Sequence, residues 1–177
     1  MDVRRDTPPS PSPPNHNPMK SLILIYSLIL GILPKEVPYR TLCWDDFRGP
    51  ITKSVAAEIV TELELTWEET NGKYTFSVSA YFLPDSSFTT TDRQEILDHE
   101  NLHFSIAVLK AHQCNQALSK CNNLKEAYKI YNHYVDSLEK LQELYDMESA
   151  HSINAIVQKK WEENIKNDLN KLTWNQK

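Results

Sequence analysis

His99, Glu100 and His103 stand in an H-E-x-x-H arrangement inside the stretch "EILDHENLHFSIAVLKAH", residues 95–112. Two histidines four positions apart project from adjacent turns of one helix face, so their ring nitrogens can meet a single ion at about 2.0–2.1 Å. Zinc is the ion that suits such a pair. Glu100, beside the first histidine, would lean over the open coordination position and take a proton from water there. With six histidines in 177 residues, chance alone produces the pattern on the order of 1% of the time. The metal reading is therefore preferred to its competitor, two core histidines satisfied by hydrogen bonds.

A third ligand must come from elsewhere. The extended H-E-x-x-H-x-x-G-x-x-H pattern fails, because Ile106 and Leu109 occupy its Gly and His positions. The other supply is "YDMESAH", with Asp146, Glu148 and His151. Glu148 and His151 share a helix face, whereas Asp146 lies roughly 140° round from His151 on an unbroken helix. His151 is the first choice, with Glu148 and Asp146 as alternatives. His112 lies about 180° round from His103, and His133 sits alone in a Tyr-rich stripe. Both read as surface or hydrogen-bonded histidines.

These residues need elements to hold them. "AAEIVTELELTWEETNGKYTFSVSAYFLP" alternates apolar and polar residues on both sides of Asn71-Gly72, which predicts a hairpin with strands at 57–68 and 73–83. After the turn at Pro84-Asp85-Ser86, Thr91 or Asp92 is placed to cap a helix that stays apolar to about Ala117. A second helix starts near Asn123, with Leu124, Tyr128, Tyr131, Val135, Leu138, Leu141 and Tyr145 as its inner stripe. Ile156, Trp161, Ile165, Leu169 and Leu172 mark a third helix or the tail of the second. The fold class is α+β, an antiparallel hairpin or small sheet packed against long helices.

The N-terminus has a different character. Residues 1–18 hold six of the ten prolines and read as a disordered leader. Residues 19–34 read as a signal peptide or N-terminal anchor. Lys20 precedes an uncharged apolar run of 13 residues, 21–33, shorter than the roughly 17–25 that cross a bilayer. Met19 is an alternative start, and no A-x-A cleavage site follows. The expected destination is outside the cytoplasm, periplasmic or secreted, with an uncleaved 21–33 segment as the one expected membrane contact. Residues 35–177 form the single folded domain. The net charge of −5 is spread along the chain and gives no basis for a nucleic-acid partner. Cys114 and Cys121 could bridge only where the helix ends between them, since seven residues of straight helix separate Cα atoms by roughly 10 Å.

Three blocks resemble domain-of-unknown-function family 922, bacterial proteins described as secreted zinc-dependent proteases. "LCWDDFRG" resembles the family's Leu-x-Trp-x-Asp-Phe-x-Gly opening, "LDHENLHFSIA" its His-Glu-Gln-Gly-His-Phe-Asp-Ile-Ala helix, and "YDMESAHS" its Tyr-Asp-x-x-Thr-x-His-Gly. The resemblance spans about Tyr39 to Trp161. It implies a zincin-like domain with Zn2+ on His99, His103 and His151, Glu100 as the base, Tyr145 and Asp146 near the site, and export. Asn101-Leu102 stands where Gln-Gly is usual, Ser105 replaces Asp, and Ser149 replaces Thr. Ser152 replaces a Gly that would let the backbone turn beside the ligand.

The first expectation is thus an exported zinc metallopeptidase acting on a peptide or protein substrate, with Glu100 relaying a proton and Tyr145 as the candidate for stabilising an oxyanion. The second is a zinc-containing but non-catalytic envelope binding or structural module, which a fourth protein ligand such as Asp146 would favour. The third is a metal-free α+β domain acting through its surface.

Overall fold

Asn71 and Gly72 both adopt left-handed backbone, φ 54° and 73°, and this two-residue turn reverses the chain between its two long strands. In the computed structural model, which describes residues 39–174, those strands are β2 (Thr61–Thr70) and β3 (Lys73–Phe82), paired antiparallel from Thr70↔Lys73 to Thr61↔Phe82. The leader at 1–18 and the segment 19–34 lie outside the described residues.

The first strand is shorter than its alternation predicts. Residues 57–58 form a separate strand, β1 (Ala57–Glu58), which pairs antiparallel with β4 (Phe88–Thr89). Side chains from elsewhere take the amides between β1 and β2. The Ile59 N–H donates to Glu100 Oε2 at 3.1 Å, and the Val60 N–H to the buried Ser87 Oγ at 2.8 Å. These tertiary acceptors break a run that local pattern alone reads as continuous.

Three helices follow: α1 (Gln94–Leu118), α2 (Leu124–Ser149) and α3 (Ala155–Trp174). The cap of α1 differs from expectation. Arg93, not Thr91 or Asp92, is the N-cap residue, and it makes no capping hydrogen bond through its side chain. Asn123 does cap α2, its side chain accepting from the Glu126 N–H at 2.9 Å. The third apolar stripe is a separate helix, because the chain turns back after Ser149. Ile156, near the start of that helix, is 73% exposed.

α1 is buried on most of its circumference, since it packs against the hairpin, α2 and α3 together. One core cluster joins Leu63 and Val78 of the hairpin to Leu102, Ile106, Leu109, Leu138, Tyr145 and Ile165. A second gathers Leu42, Phe47, Phe82, Leu97, Phe104 and Val108. Cys114 and Cys121 both lie in the first cluster as free thiols, so the bridge does not form although α1 ends between them.

Two asparagines of α1 clamp backbone that no strand reaches. Asn101 accepts from the Leu42 N–H at 2.7 Å and donates to the Leu42 carbonyl at 3.2 Å. Asn115 does the same for Val78 on β3, with both bonds at 2.7 Å. On β2, the Leu63 carbonyl accepts from Tyr131 Oη at 2.6 Å. Gly49 is required by space: a Cβ there would sit 2.8 Å from the Ser87 carbonyl oxygen and 2.9 Å from that of Asp85.

Candidate metal centre

The helical spacing of the motif puts His99 and His103 on the same side of α1, both buried, with ring centroids 4.9 Å apart and planes at 87°. Their Nε2 atoms lie 3.3 Å from each other. Both face Asp146 Oδ1 at the end of α2, at 3.0 Å from His99 and 2.9 Å from His103. A tetrahedral site with bonds of about 2.0–2.1 Å has edges of about 3.3–3.4 Å. The His99–His103 separation matches that edge and the two to Asp146 fall a few tenths of an ångström short of it, so a small outward movement of the carboxylate would complete the donor set of two imidazoles and a carboxylate, chemistry that zinc takes.

The electrostatics agree with a cation-binding role. Burial disfavours charge on His99, but the Asp146 hydrogen bond, the Glu100 charge and a Gln158 hydrogen bond outweigh it and raise its pKa. Burial likewise opposes ionisation of Asp146, yet hydrogen bonds from His103 and His99 hold its carboxyl far below the usual range. For Glu100 burial dominates and raises the pKa, against the pull of His103, His99 and the Ile59 amide.

A break in the chain brings His151 into this group. Ala150, His151 and Ser152 all have positive φ, at 49°, 51° and 74°. Ala150 ends α2 in left-handed conformation, its N–H bonding to the Met147 carbonyl, while the His151 N–H reaches back to the Asp146 carbonyl at 3.1 Å. These are the paired bonds of a Schellman motif. The turn cancels the 140° that would separate Asp146 from His151 on a continuous helix, leaving His151 Nδ1 3.6 Å from Asp146 Oδ1. His99, Asp146 and His151 can each offer a ligand atom within 4.8 Å of the others. His151 is nevertheless the outermost, with a side chain 76% exposed. The position where Ser152 replaces the resemblance's glycine does adopt the backbone that glycine favours.

Glu148 is turned away, its Oε2 accepting from Trp161 Nε1 at 2.9 Å. Tyr145 is fully buried, stacked on His99 with centroids 4.6 Å apart, and its hydroxyl donates to Gln158 Oε1 at 2.6 Å. Burial pushes the Tyr145 hydroxyl well above its ordinary pKa. The hydroxyl is thus engaged by Gln158, and the Tyr145 ring backs that of His99. His133 is exposed and His112 half-buried, both outside the cluster.

Gln158 escaped the sequence reading. It is buried, and its Oε1 lies 3.2 Å from His99 Nδ1. One signal could have found it: Gln158, Trp161, Ile165 and Leu169 run at three- and four-residue spacing, so a polar residue opens the inner stripe of α3. Ile59, whose amide holds Glu100, carries no comparable signal.

In comparisons with known proteins, the chain matches no family model, no curated protein and no solved structure.

Proposed function

We propose that the protein is a zinc-dependent peptidase of the H-E-x-x-H type, with zinc held by His99, His103 and Asp146 and with His151 at the rim. The observation that carries this reading is the convergence of two buried imidazole Nε2 atoms on one carboxylate oxygen, with separations of 2.9–3.3 Å. When bound, zinc supplies Lewis acidity, polarising a carbonyl and lowering the pKa of water to about 7. Glu100 supplies the base. Its Oε2 is occupied by the Ile59 amide, which leaves Oε1 to accept a proton, and its raised pKa suits a group that must take up a proton and release it. Met147, Ile153 and Ile156, 71%, 86% and 73% exposed, flank His151 in sequence and offer apolar surface to peptide side chains.

Membership of domain-of-unknown-function family 922, a zincin-like arrangement of the domain and export through residues 19–34 belong to the same proposal. They rest on the three sequence blocks and the apolar run at 21–33. No helix among the described residues is long and apolar enough to cross a membrane.

A second reading has an observation of its own. His151 Nδ1 lies 3.6 Å from Asp146 Oδ1, near enough to become a fourth ligand that closes the site and leaves a structural zinc. Metal analysis of the full-length protein, together with a Glu100→Gln variant assayed on a diverse peptide library, separates the readings. Stoichiometric zinc with cleavage that falls at least 10²-fold in Glu100→Gln supports the peptidase. Stoichiometric zinc without Glu100-dependent cleavage supports the closed site, and absence of zinc sinks both.

A further inference from the structure

We infer that Gln158 is a positioning residue for the metal centre, fixing His99 in the tautomer that offers Nε2 to the ion, and that Glu162 in turn fixes the orientation of Gln158. The inference rests on the zinc reading above. It begins at Glu162, whose Oε1 accepts from Gln158 Nε2 at 3.0 Å, one helical turn away on α3. A carboxylate oxygen only accepts, so the NH₂ end of the Gln158 amide must face Glu162 and the carbonyl end must face inward. There Gln158 Oε1 takes the Tyr145 hydroxyl at 2.6 Å and stands 3.2 Å from His99 Nδ1.

An amide oxygen has no proton to give, so His99 Nδ1 is the donor of that contact and carries the hydrogen. A neutral His99 then has its lone pair on Nε2, which points at His103 Nε2 and Asp146 Oδ1. The ring cannot swing off this setting, because Tyr145 stacks on it at 4.6 Å and Tyr145 is itself backed by Trp161 at 5.4 Å. The hydrogen bond and the stacked ring together orient the ligand before metal arrives, and loss of such an outer partner typically costs 10–100-fold in affinity.

The test measures zinc affinity of the full-length protein by competition with a chromophoric chelator. It also records ¹⁵N–¹H imidazole correlations of the zinc-loaded protein. Wild type is expected to show His99 protonated at Nδ1 and bound through Nε2. Gln158→Met, which keeps volume but removes the acceptor, is expected to bind zinc 10–100-fold more weakly. The exchanged pair Gln158→Glu with Glu162→Gln keeps an inward acceptor and an outward hydrogen bond, and should hold zinc at least as tightly as wild type. Gln158→Met within threefold of wild type overturns the inference, as does a His99 bound through Nδ1, a result readable on wild type alone. If Gln158→Met does not fold, the exchanged pair decides, and a tenfold loss there counts against the inference. Failure of wild type to bind zinc at all would instead strike the parent reading.

Discussion

Replacing Asp146 by Asn tests which residue completes the metal centre. The substitution keeps the size of the side chain and one carbonyl oxygen but removes the charge that His99 and His103 face at 3.0 and 2.9 Å. Structural zinc sites with four protein ligands bind with about 10–16 kcal/mol at neutral pH, so one ligand accounts for roughly 2.5–4 kcal/mol. At about 1.4 kcal/mol per factor of ten, Asp146→Asn should weaken zinc binding roughly 10²–10³-fold. His151→Ala should cost no more than about tenfold, because His151 is mostly exposed and lies 3.6 Å from the shared oxygen. Chelator competition on both variants, with far-UV circular dichroism to confirm folding, gives the comparison directly. Asp146→Asn within threefold of wild type, together with a 10²-fold loss in His151→Ala, would refute the assignment and install His151 as the third ligand.

Further outcomes follow from the same geometry. Ser152→Gly should stabilise the fold by about 0.5–1 kcal/mol, since a left-handed residue with a Cβ costs about 1–2 kcal/mol and glycine's extra unfolded-state entropy returns part of it; thermal melting of the metal-free protein that is unchanged or lowered would contradict the strain at φ 74°. Gly49→Ala should destabilise by about 1–3 kcal/mol, because the carbonyls at 2.8 and 2.9 Å are backbone and cannot step aside, and urea unfolding reads the loss. Zinc affinity should fall with acidity from above pH 6.5. His99 has its folded pKa raised over the unfolded value of about 6.5, so its charged form stabilises the metal-free fold fully below that value and this contribution is lost as pH rises through the folded pKa. Zinc has to displace that proton, so chelator titrations that give one affinity from pH 5.5 to 8 would argue against His99 as a ligand.

The elements that local chemistry specifies were legible in the sequence. Asn71-Gly72 dictates the hairpin because both residues accept positive φ, and Asn123 marks the start of α2 because its side chain takes an orphan amide. The split between β1 and β2 was not legible, since it depends on Glu100 and Ser87 arriving from 41 and 27 residues away to accept the Ile59 and Val60 amides. The same limit explains the metal centre. Helical periodicity pairs His99 with His103, but it sets Asp146 against His151 only if α2 continues past Ser149. Three consecutive non-glycine residues with positive φ are what no propensity would suggest, and they reverse that geometry.

The asparagine clamp on β3 and the tyrosine on β2 bear on how the molecule behaves at high concentration. A two-stranded sheet has two open edges, each able to recruit a strand from a neighbouring molecule. Asn115 occupies both backbone groups of Val78 on one edge, and Tyr131 occupies the Leu63 carbonyl on the other. An incoming strand would have to displace helix side chains, at the middle of the β3 edge and near the start of the β2 edge, before it could register. Solubility of this small sheet is therefore guarded by two helices, and the failure of either guard would show first as self-association that grows with protein concentration.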